Sequence, residues 1–170
     1  MKEEKTLSSE LIFKGRVVSL RVDTVTTTDG RTVKREIVVH NGAVAMVAID
    51  EKDNILLVRQ FRTPAGKVLL EIPAGTIEAG EKPDDTVPRE LQEETGYIPQ
   101  KVVKLGGFYS APGFSTEFIH IYLTTDLKPS WLEADDTAEI ELTRVPVNEV
   151  KKLIDSGAIC DAKSVAGILL

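Results

Sequence analysis

Between residues 10 and 40 apolar and polar positions alternate, interrupted by short polar turns. The runs LIFKG, VVSLRVDTV and TVKREIVVH read as strands, with Asp29-Gly30 as a hairpin turn between the last two. Few of their apolar side chains are large, so a sheet made of these strands alone is marginal and needs a further surface to lean on. From Ala43 the pattern changes. AVAMVAI and ILLVRQF are near-continuous apolar runs joined by the turn EKDN, and a third, VLLEI, leads straight into Pro73-Ala74-Gly75. Such runs predict strands buried on both faces. An amphipathic helix follows, then VVKLGGFYS and EFIHIYLTT as two strands joined by APGFST, and AEIELTRVPV as a last strand. Two helical patterns close the chain, EVKKLIDS capped by Asn148 and ended by Gly157, and AKSVAGILL capped by Asp161. The order of elements predicts an α/β fold with a mixed sheet between helices, preceded by a small antiparallel sheet.

A chain of 170 residues with 42% hydrophobic content can build one main domain with an ample core. Its 21 basic and 27 acidic residues give a net charge of −6, and no segment gathers the basic stripe that nucleic-acid binding needs. A small anionic substrate would have to be met by a metal and a few placed arginines. The single cysteine, Cys160, excludes an intramolecular disulfide and fits a reducing cytosol; burial between the C-terminal helices is expected for it rather than thiol catalysis. MKEEKTLSSE has no apolar core of a signal peptide, and no apolar run approaches the ~20 residues of a membrane span. A soluble, cytoplasmic protein is expected.

The chemistry concentrates between Gly75 and Tyr97, GTIEAGEKPDDTVPRELQEETGY. In a helical register Glu90, Glu93 and Glu94 stand at i, i+3 and i+4, so three carboxylates share one face and repel each other. An acidic solvated face is the plain alternative, but a hard dication such as Mg²⁺ turns the cluster favourable, since it takes oxygen ligands from a few carboxylates and from substrate phosphates. Gly75 stands where a strand ends and the backbone must turn close to that site, and Gly96 where a helix ends in a left-handed residue. Arg89 has the planar fork that suits carboxylate pairs. Pro88 is awkward in a helix, since proline lacks the N–H and clashes one turn back. The regular helix is therefore expected to start near Asp85, with Pro88 third and Asp84 and Asp85 at its positive end.

The glycines, Glu81, Arg89-Glu90-Leu91, Glu93-Glu94 and Gly96-Tyr97 have the spacing of the Nudix box, and the sequence resembles Nudix hydrolases. Pro112, sixteen residues beyond Gly96, together with VRQFR, LLEIPAG and SGAICDAKSVAGILL, resembles the ADP-ribose pyrophosphatase branch. The resemblance implies an α/β/α sandwich over 43–170 and an N-terminal sheet over 1–42 that is exchanged in a homodimer. It implies Mg²⁺- or Mn²⁺-dependent hydrolysis of a nucleoside diphosphate substrate, ADP-ribose first, with GDP-mannose, another nucleotide sugar or a dinucleotide as alternatives. A nucleotide-sensing module that kept the fold without catalysis is a second class. Implied metal ligands are Glu90, Glu94, Glu93, Glu81 and the carbonyl of Ala74, with Arg89 orienting the carboxylates and Glu93 a ligand or a base. A loop base falls on Asp136 first and Glu139 second. Arg62, Gln60, Glu71, Pro112 and Glu117 are candidates on the substrate side, and Arg16 and Glu36 across the dimer. Trp131 is expected to anchor its loop against the sheet.

Overall fold

The computed structural model describes residues 3–133 and 139–170. Two units divide the chain, Met1–Gly42 with Tyr109–Phe118 in one and Ala43–Phe108 with Ile119–Leu170 in the other. In the first, β1 (Lys5–Lys14), β2 (Ser19–Thr26) and β3 (Thr32–Val39) form an antiparallel sheet in that order. The β2–β3 hairpin turns through Gly30, whose φ of 87° lies in the left-handed region. Strand β1 begins at Lys5, six residues before the apolar run at Leu11, because the polar stretch pairs through its backbone with β2. Strand pairing needs no apolar side chain where both faces are exposed, and β1 is exposed along its whole length. The segment 109–118 joins this unit through Val38, whose N–H donates to Phe114 O at 2.8 Å and whose carbonyl accepts from Thr116 N at 3.0 Å.

The second unit is built on a mixed sheet. Its strands β4 (Ala43–Ile49), β5 (Asn54–Arg62), β8 (Tyr97–Tyr109), β9 (Phe118–Pro129) and β10 (Glu141–Pro146) lie in the order β10-β5-β4-β9-β8. Two short strands attach to it, β6 (Lys67–Glu71) to β5 and β7 (Ala74–Thr76) to β4. Strand β4 runs parallel to β9 and antiparallel to β5 and β7. Its side chains sort two cores by the two-residue period. Ala43, Ala45 and Val47 face a cluster that includes Val150 of helix α2 (Val147–Asp155) and Val165 and Ile168 of α3 (Ala162–Leu169). Val44, Met46 and Ala48 face Val87 and Leu91 of α1 (Pro83–Thr95). A central strand packed on both sides is why AVAMVAI is apolar throughout, and the result is the expected α/β/α sandwich.

Three local expectations are corrected. Helix α1 begins at Pro83, not near Asp85, with Lys82 extended at the N-cap and its carbonyl accepting from Thr86 N at 3.1 Å. Pro83 takes the first helical position, where its fixed φ fits and no N–H bond is due. Pro88 is thus the sixth helical residue, inside the helix, and the Asp84 carbonyl loses the N–H it would otherwise accept. Asn148 does not cap α2 but lies within its first turn, behind Pro146 at the N-cap, whereas Asp161 caps α3 by accepting from Ser164 N at 3.1 Å. Cys160 is exposed, because its neighbour Ile159 takes the buried position between α2 and the sheet.

Pro88→Ala restores the missing donor and is expected to raise stability by roughly 1–3 kcal/mol in urea denaturation. A lower midpoint would mean that the proline ring contributes more by packing than the helix loses by it.

Candidate active site

The site is assembled where the chain leaves β6 and enters β7. Pro73 O accepts from Met46 N at 2.8 Å, which ties the turn to the central strand, and Ala74 N–H donates to Glu94 Oε2 at 2.9 Å. Glu94 reaches this turn from the buried face of α1 and is 9% exposed. Burial pushes its carboxyl up to about 8, against the Ala74 N–H and with help from Glu90. Burial likewise pushes Glu90 up to about 7, opposed by Arg89 and reinforced by Glu93 and Glu81. Gly75 makes room for Glu90. A Cβ on it would fall 1.8–2.2 Å from the three atoms of that carboxyl group. Gly96 ends α1 with a φ of 76° and donates to Gln92 O at 3.0 Å.

Arg89 is the counter-charge. Its Nε and Nη2 donate to the two oxygens of Glu81, each at 3.0 Å, in the two-pronged geometry that guanidinium and carboxylate share. Nη1 lies 2.8 Å from Glu90 Oε1 and donates to Glu93 Oε2 at 3.2 Å, and Nη2 also reaches Thr76 O at 3.3 Å. The Arg89 bond, resisted by burial, holds Glu81 down at about 2, and Arg89 itself is raised in return. Glu81 therefore stays ionised while Glu90 and Glu94 resist ionisation.

These residues fit a dication. Ala74 brings hard backbone oxygen to the same turn, Glu94 is buried and Glu90 largely so, and a cation added beyond Arg89 would favour the ionised forms of both carboxyls. The carboxyls stand apart from one another: among the described residues no three acidic, histidine or cysteine side chains are gathered closely enough to hold an ion. Arg89 occupies the space between Glu81, Glu90 and Glu93, and Glu94 is turned to the Ala74 N–H.

Beside this cluster lies a second set of charges. Arg62 donates from Nε and Nη2 to Glu71 at 3.0 and 2.8 Å, and Glu71 is 1% exposed. Burial would raise Glu71, but the bonds and charges of Arg62 and Lys163 outweigh it and hold the carboxyl below its usual range. Lys163 Nζ bonds Glu71 and also Asp161, the latter at 2.8 Å. Lys163 carries no local signal beyond its place in DAKS, two residues after the cap, and spacing along the chain gives it no role. Gln60 is half-buried on β5 two residues before Arg62.

Of the remaining candidates, Arg16 and Glu36 are exposed in the first unit, in the β1–β2 connection and on β3, and Pro112 is exposed in the turn at 111–114. Glu117 lies 3.7 Å from His40 Nδ1, which accepts from Gly42 N–H. Asp136 falls outside the described residues, and Glu139 is exposed at their edge. Trp131 does not rest on the sheet: it is 68% exposed and its ring covers Gly96 at the end of α1, where a Cβ would come within 3.0 Å.

Residues 39–166 match the NUDIX domain, and residues 4–38 match the nucleoside diphosphate sugar hydrolase N-terminal domain. The chain belongs to the Nudix family and is a hydrolase of that family, whose members generally use divalent metals. It is 42% identical to an ADP-ribose pyrophosphatase of Bacillus subtilis (strain 168), over 98% of this chain and 91% of the relative. It is 43% identical, over the same shares, to a protein of Bacillus methanolicus named methanol dehydrogenase activator. A solved structure described as an ADP compounds hydrolase superposes with a TM-score of 0.90 at 23% identity, over 99% of this chain and 92% of that one, and carries the same fold. No helix among the described residues is long and apolar enough to cross a membrane.

Glu94 and Glu90 titrate near 4.5 when unfolded and near 8 and 7 when folded, so their contribution to stability is complete below about pH 4.5 and is lost as pH rises through the folded values. The melting temperature of metal-free protein is expected to fall between about pH 5 and pH 8, and added Mg²⁺ to restore it most at the upper end. A flat or rising profile without metal would contradict the buried, neutral carboxyls.

Proposed function

We propose that the chain hydrolyses the diphosphate of ADP-ribose to AMP and ribose 5-phosphate, with Mg²⁺ or Mn²⁺, as a homodimer in the cytoplasm. One observation carries the reading: Glu94 is buried against the turn at 74–75 and Glu90 is largely buried beside it, and Arg89, which reaches Glu90, leaves both carboxyls raised, so that a cation delivered there favours their ionised forms. The choice of ADP-ribose is supported by the near full-length similarity to the Bacillus subtilis pyrophosphatase.

In the reaction, the oxygen of a water attacks one phosphorus, the bridging P–O bond breaks, and the water's proton passes to a carboxylate. Glu93 is the candidate on α1, held by Arg89 through a long 3.2 Å bond that leaves lone pairs for a water. Asp136 first, and Glu139 second, are the candidates from the loop. A bound dication supplies charge neutralisation of the diphosphate and a lowered pKa for water. Glu81 anchors Arg89, and Arg89 in turn fixes the spread of Glu90 and Glu93. Arg62 meets the diphosphate or ribose, with Gln60, Glu71, Pro112 and Glu117 on the substrate side.

Residues 1–42 act as the segment exchanged between subunits and 43–170 as the hydrolase domain. Support comes from β1, where Leu11 and Phe13 remain 60% and 59% exposed in the single chain, an apolar surface that a second copy would cover. Arg16 and Glu36 would then serve the partner's substrate.

Offered ADP-ribose, GDP-mannose, other nucleotide sugars and dinucleotides with Mg²⁺, the enzyme should form AMP and ribose 5-phosphate from ADP-ribose fastest; faster turnover of another member would keep the chemistry and discard this substrate. Glu94→Gln and Gly75→Ala, the latter through displacement of Glu90, should each lower kcat by about 100-fold or more with unchanged circular dichroism. Near-normal turnover of Glu94→Gln would end the assignment of its carboxylate. Sedimentation should give twice the 18.6 kDa chain mass, shifting toward the single-chain value in Leu11→Asp.

A further inference from the structure

We infer that Lys163 is a positioning residue for the substrate diphosphate, acting through Glu71 to keep the Arg62 guanidinium aimed and its charge available. The inference rests on the function proposed above. Three donors from two cations meet the buried Glu71 carboxylate, and its Oε2 is shared between Arg62 Nη2 and Lys163 Nζ. The two cations are not equivalent. The Lys163 side chain is 14% exposed, whereas that of Arg62 is 39% exposed. Arg62 spends Nε and Nη2 on Glu71, and its Nη1 makes no hydrogen bond among the described residues. Its positive charge is also felt at Glu94, which places it beside the carboxylates proposed to hold the metal.

Charge balance explains why a second cation is needed. Glu71 and Asp161 carry two negative charges, and Arg62 and Lys163 two positive ones. Without Lys163 the group is left with one net negative charge, Arg62 becomes the sole partner of a buried carboxylate, and an incoming diphosphate meets repulsion instead of the remaining Nη1 of a balanced guanidinium. Lys163 is therefore a second counter-ion on the Glu71 oxygen that Arg62 Nη2 also holds, so that Arg62 is not alone in balancing the carboxylate.

The docking of α3 is a separate matter. Ile72 N–H donates to Ser164 Oγ at 2.9 Å, and Gly167 lies so close to Ile72 that an added Cβ would stand 2.9 Å from its Cδ1. Helix position is thus fixed by Ser164 and Gly167, and the charge on Lys163 can be removed with the helix in place.

Lys163→Gln keeps a donor for Glu71 but removes the charge. It is expected to raise KM for ADP-ribose about tenfold with kcat within about threefold, and to weaken ADP-ribose binding by a similar factor in calorimetry with Mg²⁺ chelated, where no turnover occurs. Lys163→Arg should keep both near wild type, and in an Arg62→Ala background Lys163→Gln should change KM by less than about twofold. Circular dichroism and melting temperature of Lys163→Gln should stay near those of the wild type, since Ser164 and Gly167 still hold the helix. Unchanged KM and binding in Lys163→Gln, or full additivity with Arg62→Ala, overturns the inference. Wild-type protein that hydrolyses no nucleotide sugar, yet loses tenfold in ADP-ribose binding on Lys163→Gln, overturns the proposed reaction and leaves the inference standing. Protein that neither binds nor hydrolyses one overturns both.

Discussion

One guanidinium stands among three carboxylates, and a fourth is buried on the same helix. Arg89 binds Glu81 with both prongs and touches Glu90 and Glu93, while Glu94 is left to a single backbone N–H. The arrangement is electrostatically incomplete by construction. Burying a carboxyl drives it toward the neutral form, and burial raises both Glu94 and, against the pull of Arg89, Glu90. The site stores a demand for positive charge, and the fold around it exists to keep that demand in one place.

Two constraints keep it there. Strand β4 packs on α1 with one set of side chains and on α2 and α3 with the other, so the turn at 73–75, bonded to β4 through Met46, is held from both layers. Close approach is the second constraint. Gly75 admits the Glu90 carboxyl to a distance no side chain would allow, and Gly167 admits α3 to Ile72 in the same way on the opposite layer. The two glycines serve different partners but the same strand exit.

What could be read from the sequence divides by distance along the chain. The carboxylate cluster, its arginine and its two glycines lie within one short stretch, so local spacing sufficed to place Glu90, Glu93 and Glu94 on one helix face and Gly96 at its end. The burial of AVAMVAI on both faces was legible from its unbroken apolar run. Helix starts were less so, because Pro83 and Pro88 compete for one preferred position and the pattern does not say which prevails; Asn148 lost to Pro146 in a similar contest. The Arg62–Glu71–Lys163 group was out of reach, since Glu71 and Lys163 are separated by 92 positions and meet only when α3 docks on the sheet. Trp131 on Gly96 is a contact of the same kind.

That last contact has a spectroscopic meaning. The chain has one tryptophan, and therefore one strong intrinsic fluorophore. Its ring lies largely in solvent over the end of the glutamate-bearing helix and belongs to neither core cluster. Its emission is governed by the junction between that helix end and the segment beginning at Ser130, whose N–H donates to Gly96 O at 2.9 Å. A denaturation curve followed by tryptophan light records the parting of that junction, and the melting of the sheet has to be followed by another signal.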